Sequence, residues 1–263
     1  MKEPGPLPAL MVSPTGARRT KADHPALPMS LDEIVEAAVA CAKAGATGLH
    51  LHVRDKEGRH SIDVGRYREA LDALHAAAPD LYVQVTSEAA GRYSPAEQRA
   101  MVRALRPAHV SVAFREMTAD PAEDAEVRAF YHFARDEGID IQHIAFSERE
   151  LSRLIAAIDD GTIPGTNHLV QLVLGTYDGR VRSNPAMIAP FLAPMEARRG
   201  VLSFDHMVCA FGREETRCLV EAVNHGSKAR VGFENSIWND DGRVATDIVE
   251  RVVEVATAIA GTR

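Results

Sequence analysis

The chain has 263 residues, 46% of them hydrophobic and 25% charged, an ordinary composition for a globular protein with one substantial core. A net charge of −7 leaves no basic stripe, so nucleic acid is not expected as a partner. Cys41, Cys209 and Cys218 are an odd number with no CxxC, no apolar run reaches the ~18 residues of a membrane span, and prolines break up the N-terminal stretch where a signal peptide needs an apolar helix; a cytoplasmic protein is expected, with no disulfide framework and no membrane.

In chain order, the first predicted strand is ALMVSP (9–14), and the loop after it, SPTGARRTK, holds one glycine. A helix follows, opened by Ser30 with Glu33 at capping-box spacing. TGLHLHVRD (47–55) is the second strand, ending in a polar Lys-Glu-Gly turn. Side chains two apart share a face, so Leu49, Leu51 and Val53 point one way and His50 and His52 the other. Helix 65–77 leads to LYVQVTS (81–87), whose end gathers Thr86, Ser87 and Glu88. Ser94 with Glu97 opens the next helix, with Pro95 at the first helical position, where its missing N–H costs nothing. HVSVAF (109–114) carries Ser111, and Arg115 and Glu116 follow it. Helix 121–137, strand DIQHIAF (140–146) and a helix capped by Ser147 with Glu150 come next. Strand HLVQLVLG (168–175), helix 185–198, strand VLSFDHMVCA (201–210), helix 213–225, strand ARVGFEN (229–235) and helix 246–260 complete the chain.

Eight strands thus alternate with eight helices, without a Gly/Ser-rich linker or a shift of composition. Eight βα units in about 250 residues are what a closed (β/α)8 TIM barrel requires, and one such domain is expected over 1–263. A doubly wound sheet would usually carry a Gly-rich loop after its first strand.

Active sites of such barrels lie at the C-terminal ends of the strands. With the leucine face on the helices, His50 and His52 point into the barrel, where two imidazoles can hold one zinc or similar divalent ion. A lone buried histidine would be read as a hydrogen-bonded core residue; an alternating pair at a rim favours the metal. A third ligand is expected from the eighth strand, separated from the second only by the first. Arg230, Gly232 and Glu234 share a face there, and Glu234 supplies the oxygen, leaving a position open for substrate. Arg230 lies deeper and is always charged, so it can fix an anion or orient an acid; a buried salt bridge is the plainer alternative. The hydroxyls of Thr86 and Ser87 can take a carboxylate, and a helix opened by Gly212 could hold an anion. His143 and His206 read as barrel-interior or core, and His24, His60, His75, His132 and His225 as surface or loop.

GLHLHVRD, the following YREALDAL, ARVGFEN and the leader PTGARRTKADHPALPMSLDEIVEAAVACAKAGA together resemble the β-keto acid cleavage enzymes over nearly the whole chain. The founding member of that family is the 3-keto-5-aminohexanoate cleavage enzyme of lysine fermentation. The resemblance implies a (β/α)8 barrel with a divalent metal, usually zinc. It implies transfer of CoA from acetyl-CoA, the co-substrate, to a β-keto acid by a retro-Claisen step, releasing acetoacetate and a new acyl-CoA. It places His50, His52 and Glu234 on the metal ligands, Arg230 on the catalytic arginine, Thr86 on a substrate-binding hydroxyl that is serine in the founding member, and Ser111 on a threonine there. The partners it implies are small molecules, a β-keto acid and a CoA thioester, and a homo-oligomer is expected.

The departures are specific. Asn235 stands where the founding member has an aspartate that works with the arginine, and an amide cannot act as a general base. Arg18 replaces a glutamate, and TSEAAG replaces a serine-threonine-diglycine turn, so Glu88 stands at a glycine. Glu88 is therefore the candidate for the acid/base task left vacant at Asn235, and Thr86, Ser87, Ser111, Arg18 and Arg115 are the candidate substrate contacts. The plainer role for Glu88 is an ion pair with Arg18 or Arg92. Two other functions compete. A metal-dependent hydrolase often places HxH on the first barrel strand with a bridging lysine, whereas here HxH is on the second and the fourth ends without a lysine. A metal-holding protein that lost activity with the aspartate would not need the polar groups kept at three other strand ends.

Overall fold

Period-two runs and capped amphipathic segments fold as their spacing requires. The structure, a computed structural model, describes residues 3–261. Its first half runs β1 (Leu10–Val12), α1 (Leu31–Lys43), β2 (Gly48–Leu51), β3 (Val53–Arg54), β4 (His60–Ser61), α2 (Val64–Ala77), β5 (Tyr82–Thr86), α3 (Pro95–Leu105), β6 (His109–Ala113) and α4 (Phe114–Met117). The second half runs α5 (Asp124–Asp136), β7 (Asp140–Ala145), α6 (Glu148–Asp159), β8 (Asn167–Leu174), α7 (Ile188–Glu196), β9 (Ser203–Ala210), α8 (Glu215–Asn224), β10 (Lys228–Val231) and α9 (Ile248–Ala260). Eight of these strands close a parallel barrel in the order β1-β10-β9-β8-β7-β6-β5-β2, the (β/α)8 fold that the alternation predicts. No helix among the described residues is long and apolar enough to cross a membrane. All three cysteines are free and buried.

The helix starts follow their caps. Ser30 and Ser94 each form the reciprocal box with Glu33 and Glu97. Ser147 caps α6 through Glu150 N–H, but the Glu150 carboxylate takes the Phe146 N–H at 3.0 Å instead of closing a box. Alternation sorts the strand residues into two cores. Leu49, Leu51, Val85 and Val110 face the helices, in the large core between barrel and shell. Inside the barrel, Leu7, Met11, Leu169 and Met207 plug the N-terminal end. Buried glutamines, Gln84, Gln142 and Gln171, lie above the plug, and Gln84 Nε2 donates to Gln142 Oε1 at 2.9 Å. The polar end of the barrel is therefore the C-terminal one.

Three predicted elements end differently. The run 47–55 is two strands: β2 leaves the barrel after Leu51, and β3 pairs antiparallel with β4. The polar turn drives this, because Asp55 Oδ1 accepts the N–H groups of Glu57 and Arg59 at 3.1 and 2.8 Å and Gly58 takes a left-handed φ of 75°. The run 229–235 stops being a strand at Val231. Gly212 does not open a helix: α8 begins at Glu215, and the Gly212 N–H is spent on Asn235 O at 3.1 Å.

One buried ion pair ties the last two helices to the end of β10. Arg251 and Glu215 are both fully buried, with Nη2 to Oε2 at 2.7 Å. Glu215 Oε1 accepts the Gly232 N–H at 3.2 Å, and Arg251 also reaches Glu254 at 2.5 Å. Removing one partner of such a pair leaves an uncompensated buried charge and costs ~3–5 kcal/mol. Arg251→Ala should therefore lower the melting temperature by about 10 °C. Arg251→Met combined with Glu215→Gln, which keeps an oxygen for Gly232, should recover most of that loss. A single variant that melts like the wild type would show the pair to be dispensable.

Candidate active site

β2 aims His50 into the barrel, and His52 follows where the strand has just left the sheet. The two rings are 2% and 1% exposed. Glu234 arrives by a turn and not by strand extension. Gly232 adopts φ 147°, and a Cβ there would stand 2.2 Å from Ser13 O, so only glycine allows β10 to fold against the end of β1. The Asn235 and Ser236 N–H groups close the turn on Gly232 O at 2.8 and 2.9 Å. Gly16, with φ 66°, packs directly on the glutamate: a Cβ there would lie 2.6 Å from Glu234 Cγ. Ser13 Oγ donates to Glu234 Oε2. That same oxygen lies 3.7 Å from His50 Nε2 and 3.5 Å from His52 Nε2.

The surrounding hydrogen bonds decide which ring nitrogens carry protons. Burial, reinforced by the charge of Arg230, lowers the His50 pKa to about 3, so its ring is neutral. Its Nδ1 is 2.8 Å from Gln84 Oε1, an acceptor, so the proton sits on Nδ1 and Nε2 is bare. Burial likewise lowers His60 to about 3. His60 Nε2 must donate to the carbonyl of Glu88 at 2.8 Å, which leaves His60 Nδ1 as the acceptor for His52 Nδ1 at 3.4 Å. In a neutral His52 ring the proton is then on Nδ1 and Nε2 is bare as well. Two lone pairs face each other at 3.1 Å with a carboxylate oxygen beside them. Between two neutral rings so arranged no direct hydrogen bond can form, and a shared cation can join them. His50, His52 and Glu234 offer ligand atoms that all lie within 4.8 Å of one another. Two imidazole nitrogens and one carboxylate are a donor set that suits zinc or a similar divalent ion.

Arg230 Nη2 lies beside this group, 3.3 Å from Glu234 Oε1, 3.2 Å from Asn235 Oδ1 and 3.3 Å from Cys209 Sγ. Burial works against ionisation of Glu234, but the charge of Arg230 opposes it, and the carboxyl is held well below its usual range. The cluster floors a cavity of about 570 Å³ at the C-terminal mouth of the barrel, lined also by Arg18, Thr86, Glu88 and Arg115.

Residues 9–262 match the family model of the beta-keto acid cleavage enzyme. The chain belongs to that family. In this beta-keto acid cleavage enzyme family member, sequence identity to curated relatives is low but continuous. It is 27% identical over 250 residues to a 3-keto-5-aminohexanoate cleavage enzyme of Fusobacterium nucleatum, covering 92% of this chain and 88% of that one. It is 27% identical over 263 residues to a 3-oxoadipate:acetyl-CoA acetyltransferase of Cupriavidus necator, covering 94% and 86%. Among solved structures, ObcA in binary complex with oxaloacetate superposes with a TM-score of 0.68 at 17% identity, covering 90% of this chain and 64% of that longer one. That likeness concerns the fold.

The structure places the other candidates as follows. Thr86 lines the cavity, and its Oγ1 accepts from Glu88 N–H and from Ser111 Oγ, each at 3.1 Å. Ser111 thus stands behind Thr86. Ser87 is turned away from the cavity, its Oγ and N–H both donating to Ser111 O at 3.1 Å, so it joins β5 to β6. Arg18 lies 5.5 Å from the Tyr177 ring centre, and Arg115 lies 3.6 Å over the Phe146 ring and 3.6 Å from Glu150. Glu88 is half-buried, and among the described residues no ion pair holds its carboxylate. Arg92 is instead 3.6 Å from Asp55. Burial pushes the Glu88 carboxyl above its usual range, with His52 pulling it down and Glu234 adding to the rise. Asn235 is fully buried, with its oxygen on Arg230.

Two histidines read as surface or loop are buried: His60 in a short strand, and His24 within the loop between β1 and α1. His60 is 2% exposed and supports His52, because the β3–β4 hairpin folds it back opposite Arg54. The Asp55–Gly58 turn was the signal for it. His24 is 3% exposed, with Nε2 on Ala245 O at 2.7 Å and its ring 4.3 Å from that of Phe233, so it backs the turn that carries Glu234. His143 lies outside the barrel against Tyr131, ring centres 5.4 Å apart, in the core under α5. His206 is half-buried, with Nδ1 on Ser227 Oγ at 2.8 Å.

Burial lowers the His143 pKa from 6.5 to about 3, with His168 adding to the effect. Below pH 6.5 the unfolded chain binds a proton that the folded one refuses. The stability this group contributes is complete above pH 6.5 and declines, by ~1.4 kcal/mol per pH unit, as pH falls toward 3. His143→Leu should therefore lessen the fall in melting temperature between pH 6.5 and about 5. An unchanged slope would mean that His143 titrates normally in the folded protein.

Proposed function

We propose that this chain is a divalent-metal-dependent transferase that cleaves a β-keto acid with acetyl-CoA as co-substrate. The keto acid's C2–C3 bond breaks, its acyl part leaves as a new acyl-CoA, and its carboxymethyl part joins the acetyl group as acetoacetate. Relatives named as acetyl-CoA-dependent transferases and cleavage enzymes support the reaction class. The observation that carries the metal is the facing pair of unprotonated nitrogens on His50 and His52 beside the Glu234 carboxylate.

When bound, zinc at these residues would act as a Lewis acid toward the oxygens of the keto acid. The protein's own groups do the rest. Gln84 and His60 fix the tautomers of His50 and His52, so that both Nε2 atoms stay bare. Thr86 Oγ1 already accepts two hydrogen bonds, which leaves its O–H free to donate to the substrate carboxylate. Arg230 presents a permanent charge to the developing anion, and Asn235 holds the guanidinium by an oxygen that does not titrate. Glu88 is the base. Its raised pKa and its freedom from an ion pair make it a better proton acceptor than an ordinary surface carboxylate.

Purified protein should contain one tightly held divalent ion per chain, measurable by elemental analysis. His50→Ala with His52→Ala should lose it while keeping the fold, and His60→Ala should weaken it by ~10–100-fold, the usual effect of removing an outer partner. Full occupancy in the double variant would sink the ligand assignment.

The reaction itself is tested by mixing β-keto acids with acetyl-CoA and following acyl-CoA products by mass. In that assay Glu88→Gln should lower kcat by ~10²–10⁴-fold with an unchanged melting temperature. Wild-type kcat in Glu88→Gln, beside an inactive Asn235→Ala, would return the proton-transfer role to the turn after β10.

A further inference from the structure

The ring of strands divides into two chemically different halves. At the ends of β10, β1, β2 and β5 the inward side chains nearest the mouth are Arg230, Ser13 (one residue past β1), His50 and Thr86, all polar. At the ends of β9, β8, β7 and β6 the corresponding inward positions are Phe211 (one residue past β9), Val173, Ile144 and Ala113, all apolar and all lining the cavity. The parity is fixed independently, because Arg230 reaches Cys209 Sγ inside the barrel and Phe211 is two residues further along the same face. Above this wall the loop after β8 brings Tyr177, 42% exposed, with its ring 6.1 Å from that of Phe211.

Four of the charges around the apolar half are matched to each other. Arg115 is 3.6 Å from Glu150 and lies flat on Phe146, and Arg180 is 3.0 Å from Asp178. Three charged groups at this cavity have no ion pair among the described residues: Arg18 and Glu88, in loops on the polar half, and Glu116, which follows β6 and whose Oε2 is already engaged by the Ala89 N–H at 3.1 Å and by Gln98 Nε2 at 2.6 Å. A substrate whose carboxylate and keto group lie on the polar half must project its remaining chain toward Ile144, Val173 and Phe211. A charge at the end of that chain would be buried without a partner, which is costly, whereas methylene groups gain from leaving water.

We infer that the keto acid this chain uses carries an uncharged, apolar substituent beyond C3, an alkyl or aryl chain. This deepens the proposed reaction and rests on it for the orientation of the carboxylate. It sets the chain apart from relatives whose names specify 3-keto-5-aminohexanoate or 3-oxoadipate, acids that carry a charged group beyond C3.

The test uses three acids of equal length: 3-oxohexanoate, 3-oxoadipate and 3-keto-5-aminohexanoate. Binding to the purified full chain is measured by calorimetry without acetyl-CoA, and turnover separately by acyl-CoA mass. The expected result is at least ~10-fold tighter binding and higher kcat/KM for 3-oxohexanoate, on the scale of one to two buried methylene groups. Phe211→Ala should erase most of that preference, and Val173→Arg should turn it toward 3-oxoadipate. Equal or tighter binding of either charged acid overturns the inference, as does binding of none of the three. A preference for the ammonium acid that Glu88→Gln abolishes would overturn it too, and would make Glu88 a recognition group. A binding preference for 3-oxohexanoate with no acyl-CoA product from any acid would support the apolar half and sink the proposed reaction instead.

Discussion

The rest of the site depends on two nitrogen lone pairs held 3.1 Å apart. In neutral rings, neither His50 nor His52 can carry its single proton on Nε2 without breaking an outer hydrogen bond, to Gln84 or to His60. Left alone, facing lone pairs repel. The fold nevertheless buries both rings and supports each from behind, then brings a carboxylate whose negative charge increases the demand for a cation. Such an arrangement is stable against its own electrostatics when a positive ion shares the three donors. The metal reading therefore rests on protonation forced by neighbours, and not only on the ligand spacing.

Holding the carboxylate in place costs the protein several constraints at once. The turn after β10 needs glycine at 232, because Ser13 O occupies the place of a side chain. It needs Glu215 to receive the Gly232 N–H, and Glu215 can be buried as an anion only because Arg251 is buried against it. Gly16 is bare so that Glu234 can lie across the end of β1. These residues come from the first loop, α8, α9 and the turn itself. Closure of the barrel between β1 and β10 brings them within reach of one another.

Much of this was legible in the sequence because it depends on periodicity. Alternation put His50 on the inner face and the leucines on the helices, and caps marked where α1, α3 and α6 begin. The residues that fall together at the mouth, His50, His52, Thr86, Arg230 and Glu234, were recoverable from strand ends and from the family resemblance. What alternation could not show is where a strand stops. Period two continued through Gly232 would have reached Glu234 along β10, whereas the chain turns there, and continued through Val53 it hid the hairpin that carries His60 to His52. Ser87 was misplaced for a related reason: after Thr86 the strand has ended, and the Ser87 hydroxyl satisfies a backbone carbonyl of the neighbouring strand instead of facing substrate. Backbone hydrogen bonds at strand ends are decided by neighbouring strands, which a single sequence does not display.

The exchange of an aspartate for Asn235 can be followed through the charges. Arg230 is fixed and permanently charged, and with a neutral amide at Asn235 the carboxylate within its reach is Glu234. That carboxylate is also the oxygen donor of the His50–His52 group, so it cannot serve as a mobile base without loosening the cluster. An acid/base group must then come from elsewhere on the cavity wall. Glu88 is the proposed group: it lines the same cavity from the end of β5, burial raises its pKa above the usual carboxylate range, and the Thr86 hydroxyl next to it holds its backbone N–H. With an amide in place of a second carboxylate beside it, the charge of Arg230 is less fully neutralised. The polar half of the cavity is thus better suited to hold a substrate carboxylate and a developing anion, while the opposite, apolar half is left to the substrate's chain.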